Sequence, residues 1–263
     1  MKVHLDQLIG LLFFTLLCQP VCWSQISPPG LGKVNAAEWM AVGLKQKIGT
    51  KWHLNAATYF GMGRSSLPDN YNPFKRPVLF VLNQEFSHSF KNKWTYSVAV
   101  SARIQERYNS TFPYELANPA VKKERRFYSR FTYAKALNKL KYAFTFRPEM
   151  RFFNYALVNV NLESAQLRFR FNAKAYYYLN TLKTHKLISS AEMLFASSKR
   201  INEDWGQLGY KECRFCLYYS IYIPKQKMEI NFGYMNEIID LSNVTDVNYL
   251  AFDVTIIDPF HLN

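Results

Sequence analysis

From Trp39 onward, apolar and polar residues alternate along the chain with a period of two. In 141–152, Tyr142, Phe144, Phe146, Met150 and Phe152 share one face, interrupted by Pro148, and Ala143, Thr145, Arg147, Glu149 and Arg151 share the other. In 166–174, Leu167, Phe169 and Phe171 oppose Gln166, Arg168, Arg170, Asn172 and Lys174. A helix, with its period of 3.6, would mix these sets on every face, so the segments are strands. The same reading predicts eleven strands, at 37–48, 51–62, 77–90, 93–105, 124–136, 140–152, 162–177, 185–196, 211–223, 227–238 and 247–258. Pro148 and Pro224 are placed near strand ends. Each strand is long enough to cross a bilayer when tilted, which takes roughly 9–11 residues.

The connections alternate in character. Short basic turns (Gly49-Thr50-Lys51, Lys91-Asn92-Lys93, Leu137-Asn138-Lys139, Pro224-Lys225-Gln226-Lys227 and the longer 180–186) close hairpins. Longer polar loops run at 63–76, 106–123, 197–210 and 239–246. This pattern predicts an all-β fold: one antiparallel up-and-down transmembrane β-barrel over 25–263, with about 12 strands (about 10–12). The short basic turns would be periplasmic and the longer loops extracellular. With both termini in the periplasm the strand count should be even. Either 25–36 holds a further strand, or that segment passes up through the lumen. Pro28-Pro29-Gly30 argues against an ordinary strand there.

Alternation alone does not say which face meets water, because the apolar face of a soluble barrel points inward and that of a membrane barrel outward. The polar faces of the central strands carry Arg, Ser, Thr, Asn and Tyr more than solvating Lys and Glu, and aromatics gather at strand ends, as interfacial girdles require. The 10 glycines in 263 residues, few for a membrane barrel, count on the other side. Arg or Lys at the lipid midplane costs ~2–4 kcal/mol, so a one-residue slip would be expensive. The lumen-facing ion-pair network is therefore predicted to contain Glu85, Arg103, Arg147, Glu149, Arg151, Arg168, Arg170 and Glu192. Trp39, Trp52, Trp94 and Tyr142 are predicted as interfacial aromatics.

Ahead of the barrel, Lys2 and the ten-residue apolar run Leu8 to Leu17 fit a secretory signal peptide over 1–24, with cleavage before Gln25. Asp6 is unusual in such a leader. No later run is long enough for a transmembrane helix. The net charge of +14, from 33 Lys+Arg against 19 Asp+Glu, survives removal of the leader, which takes away one base and one acid. The bases are dispersed over turns and lumen positions, with no basic helix or stacking platform, which excludes nucleic acid as a partner. Lysines near the bilayer ends would instead meet phosphates of outer-membrane lipid and lipopolysaccharide.

Catalytic and metal signatures are weak. Cys213 and Cys216 lie mid-strand, three apart, so they point to opposite faces and cannot bridge. The other two cysteines, Cys18 and Cys22, lie in the predicted leader, so the mature chain has no second pair to complete a zinc site. Ser87-His88-Ser89 is the nearest approach to a hydrolytic cluster, but its serines point away from the histidine. Phosphate-cradling glycine motifs do not occur. No catalytic residue, metal or cofactor is predicted.

Glu38-Trp39 after the leader, FRPEMRFF at 146–153, AQLRFRF at 165–171, AEMLF at 191–195 and GYMNE at 233–237 resemble a bacterial family catalogued as domain of unknown function 2490. The resemblance implies an exported outer-membrane β-barrel, which meets the barrel-assembly machinery during insertion, and carries over no activity. Many such barrels end on an aromatic; here the chain ends on Asn263, and Phe260 is the nearest. The resulting expectation is a bacterial outer-membrane barrel without enzymatic function, acting as a narrow pore or a surface scaffold. Two alternatives stand beside it: a membrane-embedded lipid or lipopolysaccharide hydrolase, and a soluble periplasmic barrel carrying a lipophilic ligand.

Overall fold

The computed structural model describes residues 30–31, 34–48, 53–90, 93–155, 162–240 and 244–260. The predicted leader, Trp52 and the turn Gly49-Thr50-Lys51 lie outside the described residues. Eleven strands follow one another: β1 (Ala36–Ile48), β2 (Leu54–Ser65), β3 (Arg76–Phe90), β4 (Trp94–Tyr108), β5 (Leu116–Leu137), β6 (Leu140–Tyr155), β7 (Glu163–Tyr178), β8 (His185–Arg200), β9 (Gly209–Ile223), β10 (Met228–Ile239) and β11 (Thr245–Ile257). Each pairs antiparallel with its sequence neighbours, and β11 closes the barrel on β1.

That closure is parallel, from Ala36 opposite Asn248 to Lys45 opposite Ile257. An odd number of alternating strands makes the first and last run the same way, so β1 starts at the long-loop end. Gly30 and Leu31 precede it inside the barrel, where the Leu31 N–H donates to the Tyr249 hydroxyl at 2.9 Å. At these two residues the chain takes the lumen route; among the described residues there is no twelfth strand.

Two predicted boundaries shift for a visible reason. β5 starts eight residues early because Val121 pairs with Glu106 and Leu116 with Tyr108, absorbing much of the expected loop at 106–123. Pro148 is not near a strand end but in the middle of β6, facing outward. Its missing N–H lies on the β5 side: the β5–β6 ladder runs from Tyr128–Glu149 directly to Phe131–Phe146. On the other side Pro148 stays in register with Phe169 of β7.

The apolar face points out. Phe144 is 55% exposed and Phe171 50%, in company with Val98, Leu217 and Phe232. Phe146 stacks on Phe171 at 5.1 Å and on Phe169 at 6.2 Å, forming an aromatic cluster on the outer wall. Their chain neighbours Arg151, Arg170 and Glu149 are buried inside. The phenylalanines that would line the hollow of a soluble carrier face away from the axis.

In the long-loop half, Leu31, Trp39, Leu79, Met235, Val247 and Tyr249 belong to one buried apolar cluster against the β1 and β9–β11 wall. Charged side chains cross the lumen from β4 to β10.

Candidate functional site: the charged lumen

The strand pleat sends every second residue inward, and neighbouring strands place their charges side by side. Glu124 on β5 pairs with Arg126 on its own strand and Arg151 on β6, with Arg103 on β4 at 4.0 Å. Glu149, wholly buried, has Arg147 at 2.6 Å and Arg126, Arg151 and Arg170 at 3.8–4.0 Å. Arg170 also pairs with Glu192, which lies 3.7 Å from Arg214 on β9. Arg214 in turn pairs with Glu212 and holds Glu237 on β10 at 2.9 Å. Arg168 donates to Gln166, which also accepts from Arg151 at 2.7 Å.

The belt then leaves the charged strands and closes through the N-terminal segment. Tyr249 on β11 donates to Glu237 at 2.6 Å and accepts from the Leu31 N–H. The Gly30 carbonyl accepts from Arg103 at 2.8 Å, and the Leu31 carbonyl from Gln105 at 3.2 Å. Gly30 and Leu31 thus bridge the gap across β1–β3, whose inward faces at this level carry Trp39, Gly63 and Leu79. A Cβ at position 30 would sit 2.4 Å from Glu237 Oε1 and 2.8 Å from Arg214 Nη2, so a larger residue there would displace these paired side-chain ends.

Toward the short turns the lumen widens into a chamber of about 190 Å³. Its lining includes Lys45, Arg130, Lys174, Glu85 and Glu192 together with the belt arginines Arg126, Arg147, Arg170 and Arg214, whose counter-charges lie in the belt. Glu85 is held by Arg130 at 3.4 Å and by the Ser97 hydroxyl at 2.6 Å. The Arg147 guanidinium lies 3.7 Å above the Tyr128 ring, whose hydroxyl donates to Asn83 at 2.7 Å. The lining continues to Thr95, one residue into β4 from the short turn.

The eight residues predicted for the lumen all lie on inward positions. Arg103, Arg147, Glu149, Arg151, Arg168, Arg170 and Glu192 share the belt, and Glu85 stands apart in the chamber wall. Sequence reading missed Glu124, Arg126, Arg130, Glu212, Arg214 and Glu237. The signal was present, since Glu124, Arg126, Tyr128 and Arg130 alternate against Phe127 and Phe131 by the rule applied to β6 and β7.

Among the aromatics, Trp94 faces outward beside the short turns and packs on Tyr133 at 5.1 Å. Tyr142 faces outward against Phe144 at 5.9 Å. Trp39 corrects the prediction: its indole is 2% exposed and points into the lumen, not to an interface. It shares the inward parity of Ala41, Gly43 and Lys45, and lies over Gly61, where a Cβ would meet the ring at 2.3 Å. Placing it by nearness to a strand end overlooked that parity.

Other chemistry does not assemble. Cys213 faces outward and Cys216 inward, both free. His88 faces outward and packs on Phe90 and Tyr96, while Ser87 lines the chamber on the far side of the wall. Among the described residues no group of three or more His, Cys, Asp or Glu side chains could hold a metal ion. Nor, among them, is any helix long and apolar enough to cross a membrane, which says nothing about crossing by strands.

No curated protein and no solved structure matches the chain. The family described as "Protein of unknown function (DUF2490)" matches residues 37–248, from the second residue of β1 into β11 and so across nearly the whole barrel wall. The chain, a closed all-β barrel with an ion-paired lumen, belongs to the DUF2490 family.

Proposed function

We propose that this protein is an integral outer-membrane β-barrel, exported by its leader, that serves as a slim, internally plugged conduit or a surface scaffold and carries out no catalysis. One observation carries the reading: large apolar side chains cover the outer wall while guanidinium and carboxylate groups fill the inside. Monomeric soluble proteins rarely expose a contiguous apolar patch beyond a few hundred Å², whereas a lipid-facing wall requires one. Trp94, Tyr133 and Tyr142 beside the short turns suit the headgroup level. Exposed Lys93, Lys135, Lys139 and Lys225 at the same rim suit lipid phosphates. Outer-membrane lipid, lipopolysaccharide and the barrel-assembly machinery are the partners this reading implies.

If the lumen conducts at all, the arginines that line it favour anions. Cell fractionation and electrophoresis of unheated samples test the reading. Recovery with the outer membrane and faster migration before boiling are expected; recovery in the soluble fraction without detergent overturns it. In planar bilayers the expected conductance is far below that of an open porin and anion-selective, and a cation preference would contradict the assignment of the lumen.

A further inference from the structure

Away from the belt, buried polar groups without partners gather on the wall beside the parallel seam. Ser220 of β9, Asn231 of β10 and Asp253 of β11 stand directly opposite one another in register, and Asp253 stands opposite Ala41 of β1. All three point inward. Ser220 and Asp253 are wholly buried, and Asn231 is 1% exposed. Both carboxylate oxygens of Asp253, the amide oxygen of Asn231 and the Ser220 hydroxyl make no hydrogen bond. The Trp39 indole N–H approaches Asp253 without reaching hydrogen-bond geometry. The charges that act on Asp253 are those of Lys174 on β7 and Glu229 on β10. Lys174 bonds to neither oxygen, and Glu229, an anion itself, is already held by Lys186 at 2.7 Å.

A carboxylate taken out of water with no counter-charge in contact is among the costliest burials in a protein. We propose that the row from Asp253 to Ser220 is a binding site for a small monovalent cation of the sodium class. Its donors are all oxygens, the ligands of hard cations, and none of these oxygens is engaged elsewhere. Directly opposed residues on neighbouring strands hold their Cβ atoms about 4.5–5.5 Å apart. Asp253 and Asn231 can therefore reach one ion between them, with Ser220 extending the row on the next strand. One carboxylate sets the charge of the guest. A single positive ion cancels Asp253, whereas a divalent ion would leave a surplus that faces Lys174. An ion held there ties together the strands that close the barrel on β1. The site lies inside the wall, so it stands or falls apart from the membrane reading.

The test uses the full chain folded in non-ionic micelles, with thermal unfolding followed in sodium chloride and in choline chloride of equal ionic strength. Sodium is expected to raise the midpoint saturably above its value in choline. D253N should abolish that difference, and S220A should raise the half-saturating sodium concentration several-fold. D246N, which removes an exposed carboxylate from the long-loop end of β11, should leave it unchanged. Equal midpoints in the two salts overturn the site, and so does a sodium response that survives in D253N. Should D253N not fold, S220A still decides, because an unmoved half-saturation there places the ion elsewhere. Stabilisation by calcium chloride but not by sodium chloride would overturn the monovalent assignment. A D253N chain as stable as wild type in both salts would overturn the site by showing that Asp253 is buried as the neutral acid.

Discussion

Arg103 donates from Nη2 to the Gly30 carbonyl at 2.8 Å, tying β4 to the segment ahead of β1 across 73 positions of sequence. The same guanidinium approaches Glu124, so one side chain joins the inter-strand ion pairs to the backbone that plugs them. Buried charges are stable only when paired and hydrogen-bonded. Here a backbone carbonyl supplies part of that satisfaction at the level where β1–β3 turn Trp39, Gly63 and Leu79 inward.

Replacing Gly30 tests the plug. A side chain there would push into the Glu237–Arg214 pair, so Gly30→Val should loosen the segment, at about 1–3 kcal/mol of stability. Single-channel recording in planar bilayers should show larger conductance than wild type. Unaltered conductance with unaltered stability would mean that Gly30 is not wedged there.

The outer wall makes a second test. Phe171, half exposed in the middle of β7, faces lipid in the proposed orientation. Phe171→Arg should cost ~2–4 kcal/mol of folding stability in vesicles, read from the denaturant midpoint. A neutral or stabilising effect would place that face in water.

Glu149 is the most heavily solicited carboxylate in the belt. Glu149→Gln leaves Arg147, Arg126 and Arg170 crowded without their shared counter-charge. It should cost about 3–5 kcal/mol, the usual penalty for breaking a buried pair. The Glu149→Gln/Arg147→Met double variant should recover part of that loss, and equilibrium unfolding in micelles measures both.

Trp39 and Gly61 form a knob and its socket between β1 and β2. Trp39→Ala should cost about 3–5 kcal/mol by the cavity it leaves, and Gly61→Leu about 1–3 kcal/mol by overpacking. In Gly61→Leu the buried emission of Trp39 should shift to longer wavelength. Unshifted emission would show that the indole does not rest on Gly61.

Much of this architecture is legible in the chain because the side-chain period of a strand is two. Phe144 against Arg147, and Phe171 against Arg170, declare opposite faces with no tertiary knowledge. Where the rule was applied less strictly the reading slipped, as at Trp39, whose parity pointed inward while its place near a strand end suggested an interface. The early start of β5 was hidden for another reason. The pairing of Leu116 with Tyr108 extends a hairpin through a polar, proline-bearing stretch that has no clean alternation.

By itself, then, the order of residues determined eleven strand segments, which residues share a face of each, and where short turns and long loops fall between them, because each depends on neighbours two to a few positions apart. Only the closed barrel decided the parallel seam of β1 on β11, the passage of Gly30 and Leu31 through the lumen, and the chamber that Lys45 of β1 and Lys174 of β7 both line. These relationships join residues far apart in the chain, and the curvature of a closed sheet brings them together; no local pattern encodes that distance.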